Sequence, residues 1–211
     1  TEVMGYNPSR YKSDYRPVGN ITWWEALEYC NKLSEKYNLE PVYDLSKIDD
    51  EGILKINQLG GETEYPNIAD FRKTEGFRLP TALEWEWFAR GGEIAIQDGT
   101  FNYQFSGSYN PDEVAWYHRN SKNKTHDVGT KKPNQLGIYD CSGNVWEWCY
   151  DTTTTDYILK ESTYIYDASI GKRKLKGGSW FSSVNNYLVS YSYNSSTSKY
   201  WNIGFRIVRT I

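Results

Sequence analysis

Two capping boxes are the strongest structural signals in this 211-residue sequence, and they limit the folds that it can adopt. Thr22 and Thr81 each stand three residues before a glutamate, the pattern in which both side chains satisfy free amides at a helix N-terminus. Apolar residues follow the first box at helical spacing, and Gly91-Gly92 ends the second helix. A shorter helix is predicted around residues 50–59, closed by Gly60-Gly61.

The rest of the sequence consists of short segments separated by turn-forming residues. Residues 102–134 are polar and rich in Gly, Asn and Asp, which predicts long loops pinned to a small framework. Strands are predicted at residues 144–149, 174–180 and 203–208. No internal repeat or linker is visible, so residues 1–211 are interpreted as a single domain. The predicted class is α+β, with two main helices, short antiparallel strands and little regular structure.

Composition excludes several classes of function. The 24 Lys and Arg against 27 Asp and Glu give a net charge of −3, which argues against a general nucleic-acid binder because such a protein needs a basic face. No apolar run reaches the length of about 18 residues that a transmembrane helix requires. Residues 1–6 do not have the pattern of a signal peptide.

The three cysteines, Cys30, Cys141 and Cys149, are an odd number, so they cannot all be paired in disulfides. We interpret them as buried packing thiols, and a Cys141–Cys149 bridge stays open as an alternative. No CxxC motif occurs, and His118 and His126 stand far from any thiol pair, so a structural zinc site is not expected.

Four groups of motifs occur in order along nearly the whole chain. They are Pro17-Val18, Trp24-Glu25-Ala26 and Cys30-Asn31-Lys32-Leu33; Phe77-Arg78-Leu79-Pro80-Thr81, Glu84-Trp85-Glu86 and Ala89-Arg90-Gly91-Gly92; Pro133-Asn134, Gly137-Ile138-Tyr139-Asp140 and Gly143-Asn144-Val145-Trp146-Glu147-Trp148; and Gly177-Gly178-Ser179-Trp180 with Gly204-Phe205-Arg206. The set resembles the formylglycine-generating enzyme (sulfatase-modifying factor) domain. That resemblance implies a C-type lectin fold of the formylglycine-generating enzyme type. The strand that precedes residues 3–9 in the family is missing, so we expect the full protein to extend N-terminally.

We interpret these motifs mainly as scaffold. Gly143 belongs to a tight turn that enters a strand, and Gly177-Gly178 allows a neighbouring backbone to approach closely. Arg206 lies between Phe205 and Ile207, and is predicted to be a buried or half-buried guanidinium that braces loop carbonyls.

The resemblance also shows which chemistry is missing. Oxidases of this family bind copper through two cysteines, two and seven residues past the aromatic residue of the Gly-Gly-Ser-aromatic motif. Here those positions hold Ser182 and Tyr187, whose oxygens cannot replace thiolates for Cu(I). No other catalytic motif is present, and Glu84 and Glu86 diverge on a helix, so they are not a catalytic pair. We therefore predict that the protein is not an enzyme and requires no cofactor.

One metal site is implied by the resemblance. In the family, the matching segment binds calcium through two carboxylates and two backbone carbonyls, which would here be Asp140, Glu147, Gly143 and Val145. Such an ion would be structural. The alternative is a turn held by hydrogen bonds alone.

The segment 181–198 carries the functional prediction. It contains seven Ser, three Asn and three Tyr, with no charged residue, Gly or Pro. Tyr provides rigid contact area while Ser and Asn provide adaptable hydrogen bonds, so the composition is typical of a binding surface. If it is extended, Ser183, Asn185, Tyr187, Tyr191 and Tyr193 would share one face. The predicted ligand-binding residues are Phe181, Ser182, Ser183, Asn185, Asn186, Tyr187, Tyr191, Tyr193, Asn194, Tyr200 and Asn202.

All 18 residues of this segment are among those that codons with a third-position pyrimidine encode, as expected when the adenines of AAY codons are randomised. Lys199 and Trp201 break the pattern and are predicted to be fixed. The arrangement resembles the variable proteins of diversity-generating retroelements, of the treponemal type. That resemblance implies a hypervariable region at about residues 175–209 on a fixed scaffold.

These resemblances imply a ligand-binding protein at the cell surface or outside the cell, such as a bacterial outer-surface lipoprotein. The expected partner is a protein or glycan that binds the variable surface, with no nucleic acid. Membrane contact is expected only through an N-terminal anchor absent from this chain. Three alternatives stay open: a Ser/Tyr-rich loop that is not diversified, a formylglycine-generating-type oxidase, and a carbohydrate-binding lectin-like module.

Overall fold

The computed structural model describes residues 1–46, 55–65, 69–152, 171–183 and 192–210. The helices are α1 (Trp23–Lys36), α2 (Ala82–Ala89), α3 (Gly92–Gln97) and α4 (Pro111–Val114), with a 3-10 helix at Phe71–Lys73. The strands are β1 (Tyr43–Asp44), β2 (Lys55–Gln58), β3 (Glu62–Glu64), β4 (Phe77–Arg78), β5 (Trp146–Thr152), β6 (Lys172–Lys176), β7 (Ser192–Ser195), β8 (Ile203–Phe205) and β9 (Val208–Arg209). Regular structure is sparse in the described residues, as the turn-rich sequence predicts.

Both predicted capping boxes form. The Glu25 amide donates to the Thr22 hydroxyl at 3.0 Å, and the Thr22 amide donates to the Glu25 carboxylate at 2.7 Å. The Thr81 box makes the same reciprocal pair with Glu84, at 3.2 and 2.9 Å. Helix α2 ends where predicted because Gly91 adopts a φ of +89°, a conformation that L side chains avoid. These signals are local, which explains why the sequence reveals them.

The strands form three small sheets. β1, β2 and β3 make an antiparallel meander, and β4 pairs with β9. The largest sheet has the order β7-β6-β5-β8, in which β5 and β8 run parallel and the other pairs antiparallel. The predicted strand at 203–208 is divided, because β8 joins β5 whereas β9 joins β4. The order places the residues on both sides of segment 181–198 in one sheet.

The helix predicted around residues 50–59 is wrong in its described part. Residues 55–58 form β2, which pairs with β3 so that Ile56 lies opposite Glu64 and Gln58 opposite Glu62. Gly60 and Gly61, with φ of +88° and +79°, form the connection instead of ending a helix. The glycines mark a chain reversal in either case, and burial of Ile56 in the core favours the strand.

The main core packs α1 against the sheets through large aromatic side chains. Trp23, Trp148 and Tyr150 are buried, and a second cluster surrounds Trp85 with Cys141 and Cys149. All three cysteines are buried and free, as the packing interpretation predicts, and the Cys141–Cys149 bridge is not formed. No helix in the described ranges combines the length and apolar character needed to cross a bilayer.

Candidate ligand-binding surface

The turn at residues 179–182 begins the Ser/Asn/Tyr-rich segment and is fixed to the frame by its backbone. Trp180 is buried, its amide donates to the carbonyl of Asn144 at 2.8 Å, and its carbonyl accepts from the hydroxyl of Ser121 at 2.8 Å. Just before it, Gly177 has a φ of +90° and its carbonyl accepts from the amide of Gly143 at 2.8 Å. The motif therefore anchors the chain as it leaves β6.

Two predicted ligand-binding residues take part in this anchoring. The hydroxyl of Ser182 accepts from the amide of Ser179 at 3.0 Å, and the side-chain amide of Asn202 donates to the hydroxyl of Ser179 at 3.3 Å. The carbonyl of Asn202 also accepts from the amide of Trp146 at 2.8 Å. Both side chains are half-buried, and they tie the turn to the chain that enters β8.

Three other predicted residues present their side chains to solvent. Phe181 is 61% exposed and Tyr200 is 47% exposed, and Ser183 is also exposed. Phe181 packs against Trp180 with ring centres 5.5 Å apart and against His118 at 6.1 Å. An exposed phenylalanine held in a fixed orientation can offer apolar contact area without losing much side-chain entropy on binding.

The structure adds residues that the sequence analysis missed. The guanidinium carbon of Arg10 lies 4.8 Å from the ring centre of Trp201 and 5.5 Å from that of Tyr11. The ring of Tyr11 meets Trp180 edge-on at 6.2 Å. Tyr11, Phe181, Tyr200 and Trp201 are called the aromatic patch below. Arg10 and Tyr11 lie in no motif, so only the fold could show that they border this turn.

The remaining predicted residues fall into two groups. Tyr193 and Asn194 lie in β7, where Tyr193 is opposite Lys174 and Asn194 is opposite Arg173 of β6. The other four, Asn185, Asn186, Tyr187 and Tyr191, lie outside the described residues.

The predicted fixed positions make contacts with residues outside the segment. The ammonium of Lys199 lies 2.6 Å from the carboxylate of Glu25, which also caps α1. Trp201 packs under Arg10. Each therefore has a defined partner on the scaffold.

A second cluster surrounds Arg206 and includes the residues predicted to bind calcium. The guanidinium donates to both oxygens of Glu147, at 2.6 and 2.7 Å, and to the carbonyl of Tyr139 at 3.0 Å. The indole of Trp85 donates to the same carboxylate at 2.6 Å. Burial acts to lower the pKa of Arg206, but the charge and hydrogen bond of Glu147, together with the nearby Cys141 and Asp140, raise it overall. Arg206 is half-buried and contacts a loop carbonyl as predicted, and its bond to Glu147 is new.

Asp140 lies at the edge of this cluster. Its Oδ2 accepts from the amide of Gly129 at 2.8 Å, while its buried Oδ1 has no hydrogen-bond partner. Burial raises the pKa of this carboxyl. A cleft of about 390 Å³ is lined by Asp140, Val145 and Glu147 together with Arg206. Trp116 packs so tightly against Gly143 that a Cβ there would lie 2.2 Å from its carbonyl oxygen.

One feature of this cluster favours calcium binding and another opposes it. The unpartnered oxygen of Asp140 beside a cleft suits a cation, whereas both oxygens of Glu147 are already bound by Arg206 and Trp85. An ion would therefore have to share Glu147 with a guanidinium. Across the described ranges, no three His, Cys, Asp or Glu side chains converge into a metal-binding group. Calcium at Asp140, Gly143, Val145 and Glu147 stays a prediction.

His126, Cys141 and Cys149 pack within the frame. His126 stacks on Trp116 with ring centres 3.8 Å apart, and its Nε2 lies 2.7 Å from the carbonyl of Ser121. Burial raises the pKa of Cys141 to about 12 and that of Cys149 well above its usual value. Such thiols stay protonated and are poor nucleophiles and metal ligands at neutral pH.

Comparison with known proteins agrees with this architecture. The model of the sulfatase-modifying factor enzyme 1-like domain family matches residues 2–211. The solved structure of Treponema denticola variable protein 1 is 33% identical, with a TM-score of 0.74, and the alignment covers 97% of this chain and 78% of that one. Chaperone protein LppX of Paenibacillus barcinonensis is 40% identical over 90% of this chain and 68% of its own length. Formylglycine-generating enzyme of Streptomyces coelicolor is 31% identical over 64% of this chain and 48% of the enzyme. The predicted fold and the resemblance to treponemal variable proteins are thereby confirmed.

Proposed function

The chain belongs to the family of sulfatase-modifying factor enzyme 1-like domains, and we propose that it is a non-enzymatic member whose aromatic patch and Ser/Asn/Tyr-rich segment bind a ligand. The observation that carries the proposal is the exposure of Phe181 and Tyr200 at the two ends of that segment. Each is next to a tryptophan with a defined contact, Trp180 with Asn144 and Ser121, and Trp201 with Arg10. A rigid base with exposed rings at its edge is what a binding surface needs.

The chemistry of the chain supports the absence of catalysis. Ser182 occupies one position where the oxidases of the family carry a copper-binding cysteine, and its hydroxyl caps a turn instead. Cys141 and Cys149 are buried beside Trp85 with raised pKa values. They cannot reach a substrate without opening the core.

Diversification by a retroelement is part of the proposal. The uncharged segment ends where Lys199 and Trp201 contact Glu25 and Arg10, which lie outside the segment. Exchange of side chains between those anchors would change the surface while leaving the frame intact. The proposed location is the cell surface, with attachment through an N-terminal anchor, or the extracellular space. The proposed partner is a protein or glycan.

A genomic observation tests the diversification. We expect a near-copy of the DNA that encodes the C-terminal segment, differing only at adenines, beside a gene for a reverse transcriptase. Identical sequences at residues 181–198 in sibling genes, with no such copy, would contradict it.

A binding experiment tests the surface. A glycan array and a phage-displayed random peptide library serve as the probes, and the retained binders are measured against Phe181→Ala, Tyr200→Ala and the control Tyr37→Ala, whose ring is 61% exposed at the end of α1. We expect roughly a fivefold or greater loss of affinity for at least one patch variant and none for the control. Equal affinities for all three variants would refute the proposal. Glycan binding that EDTA abolishes would favour the lectin-like alternative, and copper-dependent oxygen consumption with a cysteine peptide would favour the oxidase.

A further inference from the structure

The aromatic patch is bordered by cationic side chains that the proposed function does not use. From them we infer that the partner of the patch is an acidic protein surface. This inference rests on the proposed function, because it names the chemistry of the ligand that the same surface would bind. Its basis is the position of two short segments, residues 10–12 and 118–124, which contact the turn at residues 179–182 and each other.

Arg10 lies against two rings of the aromatic patch. It is exposed, and it forms no ion pair with any residue in the described part of the chain. The rings of Trp201 and Tyr11 hold its guanidinium at 4.8 and 5.5 Å. Stacking of this kind fixes the plane of the guanidinium while leaving its N–H groups free to bind a carboxylate through two parallel hydrogen bonds.

The loop at residues 118–124 contacts both the turn at residues 179–182 and the N-terminal segment. The backbone amide of His118 donates to the carbonyl of Ser182 at 3.2 Å, and its ring contacts Phe181. The carbonyl of Asn123 accepts from the hydroxyl of Tyr11 at 2.9 Å. These contacts join the loop, the turn and the N-terminal segment into one continuous surface.

The loop and the N-terminal segment both carry cations and no acidic residue. Residues 114–126 and 3–13 contain no Asp or Glu. The basic rim, as we call it, consists of Arg10, Lys12, Arg119, Lys122 and Lys124. All of these are exposed except Lys124, which is half-buried.

The acidic residues that flank the loop in sequence have partners of their own. Asp127 lies 3.5 Å from Arg16, and Glu113 lies 3.4 Å from Lys132. Asp112 accepts hydrogen bonds from Tyr117 and Asn120. The five rim residues themselves form no ion pair within the described residues. The whole chain has a net charge of −3, whereas the basic rim is positively charged. A positive rim of this kind would attract and orient an acidic partner.

The arrangement favours a protein over a polyanionic glycan. Trp, Tyr, Phe and Arg are the residues enriched in protein interfaces, with apolar rings at the centre and charges at the edge. Here the turn at residues 179–182 carries only hydroxyl and aromatic side chains, and the cations lie in the two segments that contact it. A sulfated polysaccharide would instead be held by cations across the middle of the surface.

The test uses two defined probes on the folded chain, a phage-displayed random dodecapeptide library and a heparin oligosaccharide. Selected peptides are measured against Arg10→Gln and Arg119→Gln. The charge-matched control is Lys32→Gln, which removes an exposed lysine of α1 that lies 2.7 Å from Glu28. Phe181→Ala and Tyr200→Ala are measured in parallel. We expect peptides rich in Asp and Glu, and an affinity about three to ten times weaker in each arginine variant. High salt should weaken binding by the unchanged protein, and the difference between it and the arginine variants should shrink.

The outcomes separate this inference from the function on which it rests. Enriched peptides that need Phe181 or Tyr200 but carry no excess of acidic residues, and bind both arginine variants normally, would overturn the inference and leave the proposed function standing. Acidic peptides that need the arginines but neither ring would support the rim and refute the aromatic patch. Heparin binding that exceeds peptide binding and needs the same arginines would overturn the assignment to a protein.

Discussion

Arg206 and Arg10 show how two regions of one molecule use the same side chain for opposite purposes. Arg206 binds a buried carboxylate, which the indole of Trp85 also binds, and a loop carbonyl, so its charge is balanced within the frame. Arg10 lies against two aromatic rings, is exposed, and forms no ion pair within the described residues. The difference teaches that a buried charge needs a counter-ion within the fold, whereas an exposed one can be left to solvent or, on the proposed function, to a partner.

The largest expected effect lies in the buried region. Glu147→Gln removes the charge that faces Arg206 and leaves a mostly buried guanidinium without a counter-ion, so we expect a loss of about 3–5 kcal/mol in the free energy of unfolding. Urea denaturation measures it. The control Asp127→Asn breaks the more exposed pair with Arg16 and is expected to cost less than about 1 kcal/mol. Equal losses in the two variants would show that the Arg206 cluster has no special role.

The contrast between the regions also explains what the sequence could predict. The helix boundaries could be read because Thr22 and Thr81 act on amides three residues away. The bond between Arg206 and Glu147 joins residues 59 positions apart, and no local pattern indicates it. The motifs identified the frame through resemblance, but Arg10 and Tyr11 belong to no motif. Their position depends on long-range contacts of residues 8–20 with the chain near Tyr200. One example is the hydrogen bond that the amide of Asn20 donates to the carbonyl of Tyr200.

The calcium prediction tests whether the cluster around Arg206 and Asp140 also binds an ion that stabilises the fold. If Asp140 binds calcium, a concentration of 100 times the dissociation constant would stabilise the fold by about 2.7 kcal/mol. Thermal unfolding with calcium, with magnesium as the control and with EDTA measures this effect. Asp140→Asn should remove the response. An unfolding temperature that calcium does not change at millimolar concentration would show that hydrogen bonds and Arg206 alone hold the turn.

A smaller effect is expected from pH, through the pair that links α2 to β4. Burial would raise the pKa of Glu84, but the guanidinium of Arg78, 2.7 Å away, lowers it overall. A carboxyl with a lowered pKa in the folded state stabilises the protein above its unfolded pKa, and this contribution is lost as the pH falls through the folded value. We expect a loss of about 1 kcal/mol or less below pH ~4, because the carboxylate is partly exposed to solvent. Glu84→Gln should flatten this part of the pH dependence, and an unchanged profile would contradict the assignment.

The smallest expected effect on stability lies in the exposed region, at Phe181. Its ring is adjacent to that of Trp180, which is buried. Phe181 is 61% exposed and Trp180 is 4% exposed, so alanine at Phe181 should change the free energy of unfolding by less than about 0.5 kcal/mol, whereas alanine at Trp180 should cost about 3 kcal/mol or more. Chemical denaturation of both variants measures the difference. A ring that contributes little to folding yet is held against Trp180 and His118 is available to a partner. If Phe181→Ala proved as destabilising as Trp180→Ala, the turn would belong to the frame and the binding surface would have to lie elsewhere in the segment.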